Sequence, residues 1–248
     1  MRKTFRFGDW EYKKGVESYE IEILKYLGKD TDVTIPARIN GKKVYHLDSF
    51  VFSESPANVN VKRVVFSEGL ERINFHALSS SGIQEVVLPS TMQHIDDMGF
   101  GETVQRAIVN PNNPYFFDID GVVFGGRETN KHLVYFPSGH MAKTYRIPDG
   151  TTHIDWYAFY GIKNLEHVIM PDSVVFLDGF PFISCPKLRS VRLSPNIGEL
   201  RESAFYNCPE LADVKVSRKI EMVSPNAFDM CPKFKGINIQ TRMSEQER

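Results

Sequence analysis

The sequence predicts a solenoid, a stack of short coils with a parallel β-sheet on one face and irregular or short helical turns on the other. Three observations carry this. An apolar-x-x-apolar-x-apolar motif occupies Leu165-x-x-Val168-x-Met170, Leu188-x-x-Val191-x-Leu193, Leu211-x-x-Val214-x-Val216 and Phe234-x-x-Ile237-x-Ile239, at one constant interval, the step from Leu165 to Leu188. Cys185, Cys208 and Cys231 keep the same phase, as do Phe159, Phe182, Phe205 and Phe228. The apolar slots hold many Val, Ile and Phe side chains, which suit buried parallel strands. One such unit buries too little alone, so it must stack its apolar face on its neighbours. Strands of successive coils then lie ~4.8 Å apart, and about eight coils make a core roughly 40 Å long.

In chain order, residues 1–32 fall outside the repeat and read as an N-terminal β cap. Tyr19, Ile21 and Ile23 alternate with Glu20 and Glu22, a strand pattern, and Phe5, Phe7, Trp10 and Tyr12 supply aromatic cover. The repeat domain is expected over 33–240. Its entry unit runs from Ile35-Pro36 to Leu47 and Phe52, with a short insertion around Asn40-Gly41. Val61-x-x-Val64-x-Phe66, Ile83-x-x-Val86-x-Leu88 and Val104-x-x-Ala107-x-Val109 continue it. Residues 110–144 break the phase. Val122–Phe124 and His132–Phe136 flank the turn-rich Gly125–Asn130, which predicts an inserted β-hairpin with a long loop. Ala142-x-x-Tyr145-x-Ile147 resumes the motif weakly. Behind each strand motif a second apolar residue returns (Ile73, Ile95, Ile154, Leu177, Leu200, Val223), then a bulky one (Leu78, Phe100, Phe159, Phe182, Phe205, Phe228). Residues 241–248 form a polar tail too short for a convincing cap. It folds over the end, or another subunit covers the end, or the chain continues.

The phrases Leu88-Pro89-Ser90-Thr91-Met92-Gln93-His94-Ile95, Ile147-Pro148-Asp149-Gly150-Thr151-Thr152-His153-Ile154 and Glu202-Ser203-Ala204-Phe205-Tyr206-Asn207-Cys208-Pro209 resemble BspA-like leucine-rich repeats. Asn112-Asn113-Pro114-Tyr115-Phe116-Phe117-Asp118-Ile119-Asp120-Gly121 is similar to an interrupted unit of that family. The resemblance covers about residues 33–240. It implies a curved, right-handed leucine-rich repeat solenoid used mainly for binding, often on bacterial surfaces, and it carries over no catalytic residues.

Composition narrows the function classes. The 248 residues carry 30 Lys+Arg against 31 Asp+Glu, a net charge of −1, so a strongly basic nucleic-acid binder is not the expectation. Hydrophobic residues make up 42% and charged ones 25%, ordinary globular usage. No stretch approaches the ~20 apolar residues that span a bilayer, so membrane insertion is not expected. Met1-Arg2-Lys3-Thr4-Phe5 has no apolar run behind it and does not read as a signal peptide. The resemblance therefore points to a cell surface or secretion, and the chain's own N-terminus to the cytoplasm. G-x-S-x-G, H-E-x-x-H, Walker A and C-x-x-C elements are absent. No enzyme activity, cofactor or metal is predicted.

Four sets of residues bear chemistry. Cys185, Cys208 and Cys231 fall close enough on adjacent coils for a disulfide or a thiolate site, but stacked side chains point the same way, which favours small buried hydrophobes. His46, His94 and His153 share one slot. Arg72 intervenes, setting His46 and His94 about 10 Å apart, too far for one metal, so they read as a solvated face. Asp118-Ile119-Asp120-Gly121 lacks the closing Glu of a calcium loop and reads as a turn into Val122. The fourth set is the candidate binding face. Strand side chains alternate, so Val65, Val87, Ile108, Arg146, Ile169, Arg192, Lys215 and Asn238 point outward, joined by Lys143, Arg189 and Lys235. The N-terminal half is apolar. The C-terminal half is cationic against only Glu166 and Asp213, and like charges on adjacent strands repel, which an anionic partner relieves. The expected function is a non-catalytic module recognising a protein or glycan partner, an acidic one included, through this face. The alternative is a structural segment that self-associates through its C-terminal end.

Overall fold

The computed structural model describes residues 3–15, 20–52, 61–79, 82–96, 98–127, 130–218 and 220–239. Tyr19 and the polar tail lie outside them. The chain divides into two compact units, residues 1–123 and 124–248. Each is built on a β-solenoid of parallel strands, to which the first adds antiparallel pairs.

In the first unit, Thr4–Phe7, Trp10–Lys14 and Glu20–Tyr26 form an antiparallel meander. Lys42–Leu47 then joins Glu20–Tyr26 in parallel. Burial alternates along Glu20–Tyr26 with Ile21 and Ile23 inward, as the sequence pattern requires. Trp10, Tyr26 and Phe52 pack ring against ring at 4.9–6.1 Å. The main ladder follows, with Asp32–Ile35, Arg63–Phe66, Glu85–Leu88 and Arg106–Val109 all parallel and in register. Val33, Val64, Val86 and Ala107 form one buried column of this ladder. A second, narrower ladder pairs Arg72–Ile73 with His94–Ile95.

The second unit repeats the scheme. Thr144–Arg146, His167–Ile169, Ser190–Arg192, Asp213–Val216 and Ile237–Ile239 form its main parallel ladder, each strand one full period from the next. Leu165 and Leu188 occupy equivalent buried places in one core. Its other face carries Lys131–Tyr135, Thr151–Ile154 and Phe176–Leu177 in parallel, and Glu199–Leu200 beside Met222–Val223. Between the faces runs a column of rings. Phe136, Phe159, Phe182, Phe205 and Phe228 stack at centroid spacings of 4.7–5.2 Å, close to the distance between hydrogen-bonded strands.

The expected short helical turns are not formed; no helix occurs among the described residues. The reason lies in where the amides point. Phe159, Phe182 and Phe205 donate their N–H to the carbonyls of Pro181, Ala204 and Ala227 on the next coil, not to a residue four back. Tyr157, Phe180 and Ser203, equivalent positions of successive coils, each adopt positive φ (55°, 57°, 54°), as do Gly161, Ser184, Asn207 and Met230. A right-handed helix cannot run through a left-handed residue.

The interruption also differs in detail. Phe116–Ile119 passes through Asp120 (φ 52°) and Gly121 (φ 83°) into Val122–Gly125. Two successive positive-φ residues make the two-residue turn favoured in tight hairpins, with Asp-Gly as its usual sequence. This tight turn comes in addition to the expected hairpin, because Val122–Gly125 is hydrogen-bonded to Lys131–Tyr135 as well as to Phe116–Ile119. Lys131–Tyr135 also joins the second ladder of the second unit.

Candidate binding face

Outward positions of the main ladders form true columns. In the first unit Thr34, Val65, Val87 and Ile108 stand opposite one another in register, and the last three are half-buried. In the second unit Arg146, Ile169, Arg192, Lys215 and Asn238 do the same. The sequence-predicted face is thus assembled as two outward columns, one on each unit.

The charges arrange differently from the expectation of mutual repulsion. In the first unit the column Asp32, Arg63, Glu85, Arg106 alternates in sign. Glu85 takes Arg63 Nε at 2.6 Å and also pairs with Arg106. Burial of Glu85 favours its neutral form, but these two guanidinium hydrogen bonds outweigh it and leave the carboxyl below the ordinary range. In the second unit Glu166 lies between Lys143 (3.3 Å) and Arg189 (3.5 Å), and the Lys143 hydrogen bond leads in lowering its pKa. Arg192 pairs with Asp172 at 3.0 Å and donates to the Met170 carbonyl, with only 12% of its side chain exposed. Lys215 pairs with Asp213 at 3.4 Å. Carboxylates on and beside the sheet therefore neutralise most of the cationic columns. Arg146 and Lys235 are exposed, and Lys235 makes no ion pair among the described residues.

The other predicted residues resolve as packing or turn contacts, except that His94 is exposed, as a solvated face requires. Cys185, Cys208 and Cys231 are buried free thiols whose Sγ atoms donate to the Phe159, Phe182 and Phe205 carbonyls at 3.1, 2.9 and 2.9 Å. Asp118 spends an oxygen on the Val109 amide at 2.8 Å, which anchors the hairpin turn. His94 stands opposite Arg72, and His153 stacks on Phe176.

Sequence reasoning missed a groove on the second unit, lined by Trp156, Phe180, Leu200, Met222, Val223 and Glu202. Its volume is about 540 Å³. Trp156 and Met222 are 47% and 58% exposed. The Trp156 ring lies over Gly179, where any Cβ would clash with it. These residues come from several coils and from turn positions, so no strand alternation marks them. The one available signal was Trp156 preceding the Tyr157-Ala158-Phe159 turn.

The model of the BspA type leucine rich repeat region matches six copies in this chain, over residues 24–118 and 135–247. No curated protein matches in sequence. Among solved structures, the pneumococcal vaccine antigen PcpA aligns with a TM-score of 0.58 at 17% identity, over 96% of this chain and 81% of that one. A leucine rich cell surface protein of Faecalibacterium prausnitzii aligns at 0.54 and 16% identity, over 100% and 97%. A leucine-rich repeat protein of Eubacterium ventriosum aligns at 0.56 and 13%, over 94% and 83%. At such identities the likeness is one of fold. The family match, extending across most of the sequence, goes further: this chain belongs to the BspA-type leucine-rich repeat family.

Proposed function

We propose that the protein is a non-catalytic binding module whose main sheet faces receive a protein or glycan partner at a cell surface. One observation carries the reading: Arg146, Ile169, Arg192, Lys215 and Asn238 form one outward column in unbroken register across five strands. A fixed row of that kind presents side chains at the strand spacing, which is how a solenoid reads an extended ligand. The flanking pairs, Lys143–Glu166–Arg189 and Arg192–Asp172, supply both donors and acceptors. The face therefore suits a mixed polar partner as well as an acidic one. The surface setting is drawn from the F. prausnitzii neighbour, described as a cell surface protein, and from the family. The test is charge reversal, Arg189→Glu with Arg192→Glu, probed on arrays of matrix proteins and glycans. Binding by the native chain that weakens about tenfold in the double variant, measured where circular dichroism shows both chains folded, supports the face. Unchanged binding removes it.

A second reading, self-association, draws on the exposed apolar groove around Trp156, Met222 and Val223. Light scattering over a wide concentration range separates the two: a constant monomer mass ends it.

A further inference from the structure

We propose that Glu22, His46 and Asp48 form a binding site for a divalent transition-metal ion on the cap sheet of the first unit. Three observations support it. One ligand atom from each residue lies within 4.8 Å of the other two. The backbone fixes all three donors: Glu22 stands directly opposite His46 across the parallel pair, and Asp48 lies two positions beyond His46, on the same side of the chain. The Asp48 amide also donates to the Ile23 carbonyl at 2.8 Å, which prolongs the pairing past the strand end.

The second observation is how the donors are held. The Ser49 amide donates to Asp48 Oδ1 at 2.8 Å and orients that carboxylate, while Lys13 Nζ holds Glu22 Oε1 at 2.8 Å as a competing cation. The second oxygen of each carboxylate, and both ring nitrogens of His46, make no hydrogen bond among the described residues. Outer hydrogen bonds of this kind are what aim metal ligands.

The third observation concerns room and access. Glu22, His46 and Asp48 are all half-buried, so an ion can reach them from solvent and keep water as a further ligand. His46 also borders a cleft of about 200 Å³ that Glu22 and Asp48 do not line. Tetrahedral bonds of about 2.0–2.2 Å put ligand atoms roughly 3.3–3.6 Å apart, so small side-chain rotations close the site.

One imidazole with two carboxylates favours a borderline ion such as zinc over calcium, which takes oxygen ligands alone. Along the coils His46 compares only with His94 and His153, so no repeat position marks this site. Its partners come from across the cap sheet.

Lys13 makes the proposal specific. Its ammonium sits on a ligand carboxylate and opposes the incoming charge, so removing it must tighten metal binding. The experiment is calorimetry of the full chain with zinc chloride, paired with thermal melts with and without zinc. The expected result is one zinc ion per chain and a zinc-dependent rise in melting temperature. His46→Ala and Asp48→Asn should weaken zinc by about tenfold or more and abolish the rise, while Lys13→Met, which removes a like charge beside the ion, binds zinc several-fold more tightly. Asp48→Asn keeps the side-chain shape, and its metal-free melt shows that the fold survives. Absence of zinc binding overturns the proposal. So does equal affinity in Asp48→Asn or Lys13→Met, which would place the ion at one of the other histidines. Calcium binding tighter than zinc overturns the choice of ion.

Discussion

Cys208 shows what a repeated residue does in this molecule. Its side chain is fully buried, with Cys185 one period before it and Cys231 one period after. Hydrogen bonding to the Cys185 thiol, with burial, pushes its acid strength well below that of an ordinary cysteine, and Cys231 is shifted the same way by Cys208. Since the thiolate is the reactive species, Cys208 and Cys231 should resist a thiol reagent at neutral pH until the protein is denatured, and burial alone shields Cys185 from the reagent. Rapid labelling of the folded chain would contradict this. Cys208→Ala leaves the Phe182 carbonyl without its thiol donor and should cost about 1–3 kcal/mol in denaturant unfolding. His132 behaves in the opposite electrostatic sense. Its hydrogen bond to Asp155 at 2.8 Å raises its pKa against a smaller opposing effect of burial. A histidine raised above its unfolded value of about 6.5 contributes fully below that pH and loses the contribution as pH rises through the folded value. The pair is partly exposed, so its worth is below about 1 kcal/mol. Melting temperatures from about pH 5 to pH 8 should show the decline in the native chain and not in Asp155→Asn.

Ladders, more than single strands, are the units of stability at the next scale. Asp32, Arg63, Glu85 and Arg106 alternate in sign because each stands opposite the next. Glu85→Lys would place three cations in a row, and like charges on adjacent strands destabilise. The expected loss is about 1–2 kcal/mol, reduced by added salt. A salt-independent loss would point to packing instead. The same carboxyl is depressed in the folded state, so it adds stability above its unfolded pKa of about 4.3 and loses it as pH falls through the lower folded value. Glu85→Gln should flatten that acid limb. Which ladders could be read from sequence follows from strand length. Arg63–Phe66 and Glu85–Leu88 are long enough to show alternation, and their outward residues Val65 and Val87 were legible. Arg72–Ile73, Phe176–Leu177 and Met222–Val223 are a single residue pair each and show no period. The turns were illegible for another reason. Tyr157 and Phe180 hold positive φ, which bulky residues rarely adopt, so their side chains gave no turn signal. The neutralising carboxylates were partly visible as Glu166, but Asp172 reaches Arg192 from beyond the strand motif.

Stacking in register predicts how the second unit responds to losing a whole coil. The interactions that bind its core run to the coil before or after: ring to ring from Phe159 to Phe228, thiol to carbonyl, and amide to carbonyl across the turns. Arg189–Leu211 is one period, since Leu188 and Leu211 are equivalent positions of successive coils. Joining Leu188 to Ala212 puts Val214 where Val191 stood and Phe205's neighbours, Phe182 and Phe228, next to each other. The shortened ladder keeps its register, and nearest-neighbour energetics then cost it one coil and one interface. The variant should retain the β circular dichroism of the native chain and melt cooperatively at a lower temperature. Removing Arg189–Ile197 instead shifts every later residue out of phase and turns Val214 and Val216 away from the core. That shorter deletion should do more damage than the longer one, because a slipped strand loses its whole buried face. Phe205→Ala, which keeps the phase but breaks the ring column, should fall between them at about 3–5 kcal/mol. If the full-period deletion unfolds while the shorter deletion persists, stacking in register is not what holds this unit together.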